Sequence, residues 1–129
     1  MTPALLLDTH AFLWLMTDDE RVPGATRDLV QATHEVYVSA ATAWEIRTKF
    51  RLGKLPDAAP FVADLEAEVT RNGFSALPIS LADGAHAGAF SVDHKDPFDR
   101  MLAAQAINHR LAVVSNDAAL DAFGVVRVW

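Results

Sequence analysis

Short apolar runs alternate with longer amphipathic stretches along the whole of this chain. Five of the runs are rich in Leu, Val and other strand-forming residues: 4–7 (ALLL), 35–39 (EVYVS), 75–79 (SALPI), 111–115 (LAVVS) and 125–129 (VVRVW). Runs of this length and composition, followed by polar or turn-forming residues, are typical of short buried strands. We therefore predict a strand at each of them.

The segments between these runs have the apolar spacing of helices. We predict helices over 10–16, 25–35, 40–52, 60–72, 81–90, 96–110 and 116–124. Asp96 can cap the helix that follows it, Pro97 takes the favoured first position, and Gly124 can end the last helix. Strands separated by one or two helices predict a single α/β domain over 1–129, in three layers, with a largely parallel sheet of about five strands.

Acidic residues recur close to the ends of the predicted strands. Asp8 directly follows the first strand, Asp117 comes just after the fourth, and Glu45 lies in the helix after the second. Asp99 lies in the first turn of the helix that leads into the fourth strand. The carboxyl ends of parallel strands form one edge of a sheet, where ligands bind in such folds. We therefore expect these four carboxylates to lie near one another.

Carboxylates that share a site repel one another unless a cation neutralises them. An all-oxygen set of ligands selects a hard cation such as Mg²⁺ or Mn²⁺. One or two such ions can activate water and stabilise charge during phosphodiester hydrolysis. The acids thus predict a metal-dependent phosphodiesterase site, with the number of ions open.

Composition and charge narrow the choice of function. The 129 residues are 51% hydrophobic and 22% charged, as in an ordinary globular protein, and they include no cysteine. This excludes disulfides, thiolate catalysis, zinc fingers and iron–sulfur clusters, and it fits a cytoplasmic protein. The N-terminal segment has neither the basic start nor the cleavage site of a signal peptide, and no apolar run approaches the length of a membrane helix.

The net charge of −6 excludes a strongly basic nucleic-acid binder but leaves room for a local basic patch. Four basic residues fall within eight positions that contain no acid: Arg47, Lys49, Arg51 and Lys54. They form either a strip that contacts RNA phosphates or a solvated helix face. Helical spacing spreads them around the axis, so no more than half should face one groove.

Four segments of the chain carry a family resemblance. LLLDTHAFLW, SAATAWEIRTKFRLGKL, HKDPFDRMLAAQA and VVSNDAALDAFGV occur in the order and spacing of a PIN domain, and most closely resemble the VapC-like toxins of bacterial toxin–antitoxin pairs. The resemblance covers nearly the whole chain. It implies an endoribonuclease that depends on Mg²⁺ or Mn²⁺, is usually dimeric, and is silenced by a cognate VapB-like antitoxin. The family's metal-binding acids correspond to Asp8, Glu45, Asp99 and Asp117.

Several assignments stay open within this interpretation. Asp96 competes with Asp99 for the third acidic position, although we favour it as the helix cap, paired with Arg100. Asn116 could share the role of Asp117. Thr9 and Ser115 either orient a carboxylate or a metal-bound water, or are structural. Each acid also has a plain alternative, since Asp8, Asp99 and Asp117 can favour a helix N-terminus and Glu45 can pair with Lys49 at i,i+4.

Other classes of protein are consistent with parts of the pattern. The main alternative is a PIN-like module that binds RNA or a protein without cleaving. A phosphatase with an aspartyl nucleophile would need a second Asp where His10 stands, and a receiver domain would need an acid at the end of the third strand.

His10, His86 and His94 lack metal-ligand spacing and are expected at the surface or in loops. The apolar residues around Leu13, Trp14 and Leu52 are the candidate dimer surface, and Trp44 is expected in the core or at a dimer contact.

Overall fold

The computed structural model describes residues 3–129, and within them five strands form one parallel sheet. The strands are β1 (Leu5–Leu7), β2 (Val36–Ser39), β3 (Ser75–Leu77), β4 (Ala112–Val114) and β5 (Arg127–Val128). Their order across the sheet is β3-β2-β1-β4-β5, so the first strand lies at the centre. There Leu6 pairs with Tyr37 on one side and Val113 on the other. The predicted parallel α/β sheet is confirmed.

Seven α-helices connect the strands in this part of the chain. They are α1 (Thr9–Met16), α2 (Gly24–Ala32), α3 (Ala40–Arg51), α4 (Ala59–Val62), α5 (Leu65–Arg71), α6 (Leu81–Ala89) and α7 (Pro97–His109). Two 3₁₀ helices are present at Pro56–Ala58 and Ala118–Phe123. No helix within residues 3–129 is long and apolar enough to cross a membrane.

Three predicted helices differ from those observed. The helix expected over 25–35 ends at Ala32, because Thr33 has an extended conformation. The helix expected over 60–72 is divided into α4 and α5, because Asp64 leaves the helical conformation and its side chain accepts a hydrogen bond from Ala67 N as the cap of α5. The helix expected over 116–124 is a 3₁₀ helix that begins after Asp117 and ends at Gly124, which has φ +81°. A left-handed residue of this kind is most easily glycine.

The core consists of two apolar clusters on opposite faces of the sheet. Side chains alternate along a strand, so Leu5 and Leu7 pack with Phe12 of α1 and Ile46 of α3, whereas Leu6 packs with Leu102 of α7. Helices therefore cover both faces, which confirms the three layers and explains why β1 is wholly buried.

The candidate dimer surface needs one correction. Leu13 is 8% exposed and belongs to the core cluster of α1, so it cannot offer surface to a second copy. Leu52 remains exposed, as does Trp44 at 60%, which excludes Trp44 from the core.

Candidate active site

A cleft of about 480 Å³ opens at the carboxyl edge of the sheet, where β1, β2 and β4 lead into their following segments. We call it the acidic cleft, and it is lined by Asp8, Thr9, His10, Trp14, Glu45, Lys49, Asp96, Asp99, Asn116 and Asp117. All four acids expected to lie near one another therefore line one cavity. Of the other predicted site residues, Thr9, Lys49, Asp96 and Asn116 also line it.

Asp8 ends β1 and begins α1, and its carboxylate serves the helix as well as the cleft. Its Oδ1 accepts a hydrogen bond of 2.7 Å from Ala11 N, so it is the N-cap of α1. Burial raises the pKa of Asp8, and the nearby Glu45 carboxylate raises it further, against the lowering effect of hydrogen bonds from Ser115 and Ala11. The capping role proposed as an alternative is real, but it leaves Asp8 in the cleft.

Glu45 is 4% exposed, so it is not the solvated helix residue that its sequence position allowed. Its Oε1 accepts a hydrogen bond of 2.6 Å from Thr9 Oγ1, and its Oε2 forms an ion pair with Lys49. Thr9 Oγ1 also lies 3.3 Å from Thr42 Oγ1. Both carboxylate oxygens of Glu45 thus have protein partners, one from α1 and one from its own helix.

Asp99 and Asp96 lie at the start of α7 and differ in role. Asp96 Oδ1 accepts hydrogen bonds from the backbone N–H groups of Phe98 and Asp99, which confirms it as the helix cap. Asp99 Oδ2 lies 2.9 Å from Nε2 of His94. Burial raises the pKa of Asp99, and the Asp96 and Glu45 carboxylates add to this, whereas the His94 contact lowers it.

The expected pairing of Asp96 with Arg100 is wrong. The Arg100 guanidinium instead donates hydrogen bonds of 2.6–3.0 Å to the backbone carbonyls of Ala87, Phe90, Val92 and His94. The planar guanidinium has five N–H donors and can donate to several carbonyls at once. Pairing with the Asp96 carboxylate would occupy some of these donors. Arg100 therefore fixes the segment between α6 and α7, which carries His94.

His94 is the contact that sequence reasoning missed. It was expected in a loop without a role, and it does lie in the loop before α7, but its ring bonds to Asp99. The sequence signal was its position five residues before Asp99 in HKDPFDR, which allows the loop to fold back on the first turn of the helix.

Asp117 is exposed and caps the 3₁₀ helix, since its Oδ1 accepts a hydrogen bond of 3.0 Å from Ala119 N. Ser115 is fully buried and does not line the cleft. Its hydroxyl accepts a hydrogen bond of 3.0 Å from Asp117 N and thereby shapes the turn that carries Asn116 and Asp117. Ser115 also forms a side-chain hydrogen bond with the Asp8 carboxylate, so it contacts an acid of the cleft as well as this backbone.

The basic residues of α3 and its C-terminal turn do not form one strip. Lys49 lines the acidic cleft, whereas Arg47 donates a hydrogen bond of 2.8 Å to the carbonyl of Val62. Arg51 is exposed, and Lys54 borders a separate depression with His10 and Trp14. The basic side chains thus point in different directions around the axis of α3, as their spacing predicts.

The donor set of the cleft fits a hard divalent cation, because it offers carboxylate oxygens and no sulfur. Burial is the main cause of the raised pKa values of Asp8 and Asp99, and neighbouring carboxylates raise them further. Within residues 3–129, however, no three His, Asp or Glu side chains are grouped closely enough to hold an ion together. The ligand atoms are therefore of the right type for a divalent metal ion, although their positions do not form a complete coordination sphere.

Comparison with known proteins gives both sequence and structural matches. A stretch of 62 residues is 40% identical to Ribonuclease VapC16 of Mycobacterium tuberculosis, covering 47% of this chain and 44% of that relative. The chain thus spans less than half the length of that relative.

Two solved structures have the same fold. One is a toxin–antitoxin complex from Klebsiella pneumoniae, with a TM-score of 0.62 and 19% identity over 88% of this chain and 87% of that one. The other is VapBC2 from Rickettsia felis bound to a DNA fragment from its promoter, with a TM-score of 0.70 and 12% identity over 97% of each chain.

A family model also matches the chain. That model describes the PIN domain and matches residues 5–126, nearly the whole length. The chain therefore belongs to the PIN domain family.

Proposed function

We propose that the protein is an endoribonuclease dependent on Mg²⁺ or Mn²⁺ and the toxin of a bacterial toxin–antitoxin pair. The observation that carries the proposal is the convergence of Asp8, Glu45, Asp99 and Asp117 on one cleft from four separate segments of the chain. The partial identity to a VapC ribonuclease supports RNA as the substrate.

The four carboxylates are the proposed metal ligands. A bound ion would supply a water of lowered pKa and stabilise negative charge on the phosphate being cleaved. The chain's own residues hold the ligands in place. Thr9 donates to Glu45 and His94 contacts Asp99, while Ser115 fixes the backbone of Asp117. Such contacts to the ligands set their orientation and basicity.

RNA would approach along the open side of the cleft. Lys54 is exposed just after α3 and can contact phosphates away from the reacting bond, whereas Arg51 is exposed on a different face of α3 from Lys49 and is a weaker candidate. Arg47 is bound to a backbone carbonyl and is the weakest candidate of the group.

The proposed partners are a VapB-like antitoxin and a second copy of this chain. The solved relatives described as toxin–antitoxin and VapBC complexes support the antitoxin. For the second copy, one apolar depression is bordered by Trp44, Ile79 and Phe98. The rings of Trp44 and Phe98 pack edge to face, with their centroids 4.8 Å apart. Exposed aromatic residues around an apolar depression are typical of protein interfaces.

The test is cleavage of total and structured RNA by the purified protein, in Mg²⁺, in Mn²⁺ and in EDTA. We expect the wild type to cleave only with metal, and Asp8→Asn to be folded and inactive. A folded Asp8→Asn variant with full metal-dependent activity would contradict the proposed site. RNA binding without cleavage in either metal would favour the non-cleaving module instead.

A further inference from the structure

Lys49 is a lysine that the fold places within the acidic cleft. Its Nζ forms an ion pair with Oε2 of Glu45, one helical turn away on α3. The Glu45 side chain is only 6% exposed and that of Lys49 is 32% exposed, so this pair differs from a solvated i,i+4 pair on a helix surface. Removing one partner of such a pair leaves a buried charge without compensation.

The surroundings of Lys49 are acidic on more than one side. Besides Glu45, which forms the ion pair, Asp96 and Asp99 line the same cleft as Lys49. Asp96 and Asp99 belong to α7, not to the helix of Lys49. The ammonium group therefore interacts with acids from both sides of the cleft.

We propose that Lys49 is the internal counter-ion of the acidic cleft, neutralising its carboxylates in the metal-free protein and competing with a divalent cation for Glu45. The inference rests on the proposed function, because that function supplies the cation. In the metal-free protein, both oxygens of Glu45 are engaged, one by Thr9 and one by Lys49. A cation that binds Glu45 at Oε2 shares this oxygen with the ammonium or displaces it, and the two positive charges repel each other.

Two other roles for Lys49 make different predictions. A purely structural ion pair would stabilise the fold without affecting metal affinity. A phosphate contact would affect RNA cleavage and leave metal affinity unchanged. Of the three roles, only competition with the cation predicts that removing the ammonium strengthens metal binding. Its removal makes the cleft more negative.

The experiment measures Mn²⁺ binding by calorimetry and thermal unfolding in EDTA, on the full chain. The variants are Lys49→Met, Lys49→Arg and Arg51→Met. Arg51→Met is the matched control, because it removes one positive charge from the same helix about 200° around its axis from Lys49. A double variant, Glu45→Gln with Lys49→Met, removes both charges of the pair and leaves an oxygen to accept from Thr9.

We expect Lys49→Met to bind Mn²⁺ about fivefold more tightly than the wild type, an effect of the size expected when one nearby charge is removed. Lys49→Arg and Arg51→Met should stay within about twofold of the wild type, since the first keeps the charge and the second acts through solvent. In EDTA, Lys49→Met should lower Tm by roughly 5 °C or more, and the double variant should recover most of the loss.

Unchanged or weaker Mn²⁺ binding by Lys49→Met overturns the inference, even if RNA cleavage falls. A wild type that binds neither Mn²⁺ nor Mg²⁺ contradicts the proposed function, and the unfolding experiment then decides the counter-ion role separately. In that case, the counter-ion role is overturned if Lys49→Met is as stable as the wild type in EDTA. If Lys49→Met does not fold at all, an equally unfolded double variant also overturns it, because the uncompensated Glu45 charge would not be the cause.

Discussion

Nε2 of His94 lies 2.9 Å from Oδ2 of Asp99, so the loop before α7 is tied directly to an acid of the cleft. Arg100 holds this loop by hydrogen bonds to its carbonyls, including that of His94 itself. The position of the Asp99 carboxylate therefore depends on a residue five positions earlier and on an arginine one position later.

The first prediction concerns this contact. His94→Ala should lower RNA cleavage by roughly 10–100-fold, the usual effect of removing a hydrogen bond that orients a metal ligand. His86→Ala is the control, because His86 also bonds to a side chain of α7, but its partner Asn108 does not line the cleft as Asp99 does. Initial rates at several metal concentrations measure the effect. Equal rates for His94→Ala and His86→Ala would show that the contact does not serve the site.

Replacement of Asp8 should separate stability from activity. Because burial and Glu45 raise its pKa, the folded protein holds a proton on Asp8 to higher pH than the unfolded chain does. Stability therefore falls as pH rises through the interval between the unfolded and the folded pKa, and the ionised carboxylate opposes folding above it. Asp8→Asn keeps a helix-capping oxygen but carries no charge, so without metal we expect it to raise Tm by a few degrees at pH 7.

This gain should shrink as pH is lowered through the raised pKa of Asp8, because the wild type then also carries a neutral side chain. Thermal unfolding of both proteins in EDTA, across acidic and neutral pH, measures the difference. Added Mn²⁺ should stabilise the wild type more than the variant. A variant less stable than the wild type at pH 7 in EDTA would show that hydrogen bonding, not charge, dominates at Asp8.

The strand ends were the part of the site that sequence could predict. The apolar runs LLL and AVV are buried at the centre of the sheet, so the residues that follow them have to emerge at its carboxyl edge. Asp8 and Asp117 were placed in this way, and Asp99 by the cap and proline of its helix. The local sequence pattern is sufficient to predict the position of a site residue when a single strand or helix determines that position.

The contacts between elements could not be predicted in the same way. His94 contacts Asp99 from a loop whose carbonyls Arg100 binds, and this bonding pattern also includes carbonyls at the end of α6. Leu13 was misplaced because the helical spacing of α1 does not show which of its faces the sheet covers. The division at Asp64 reflects a side-chain cap that competed with a continuous helical pattern.

A third prediction concerns the fully buried Asp83, which joins α6 to α7. Burial alone would raise its pKa, but hydrogen bonds from the Asn108 side chain, from Ser80 and from His109 hold it at about 2. A lowered carboxyl pKa stabilises the fold above the unfolded value of 3.8, and this stabilisation is lost as pH falls through about 2. The shift corresponds to about 2 kcal/mol at neutral pH.

Asp83→Asn should therefore lower the free energy of unfolding by about 2 kcal/mol at pH 7. The difference from the wild type should narrow as pH falls below the unfolded value of 3.8 towards 2. Urea unfolding followed by circular dichroism at several pH values measures this difference. Asp28→Asn removes an exposed acid of α2 and is the control. A difference that stays constant down to pH 2 would assign the effect to lost packing.

The last prediction tests the surface proposed for a second copy of the chain. Trp44 is 60% exposed and Ile79 39% exposed, and both border the apolar depression that Phe98 also borders. Replacing both with glutamine removes apolar area that only association can bury, so we expect the dimer to dissociate while the monomer stays folded. Light scattering across a range of protein concentrations gives the mass, and circular dichroism checks the fold. Leu52→Gln is the matched control, because Leu52 is 54% exposed and does not border the depression. If Leu52→Gln dissociates the dimer and the double variant does not, then the interface lies at the C-terminal end of α3.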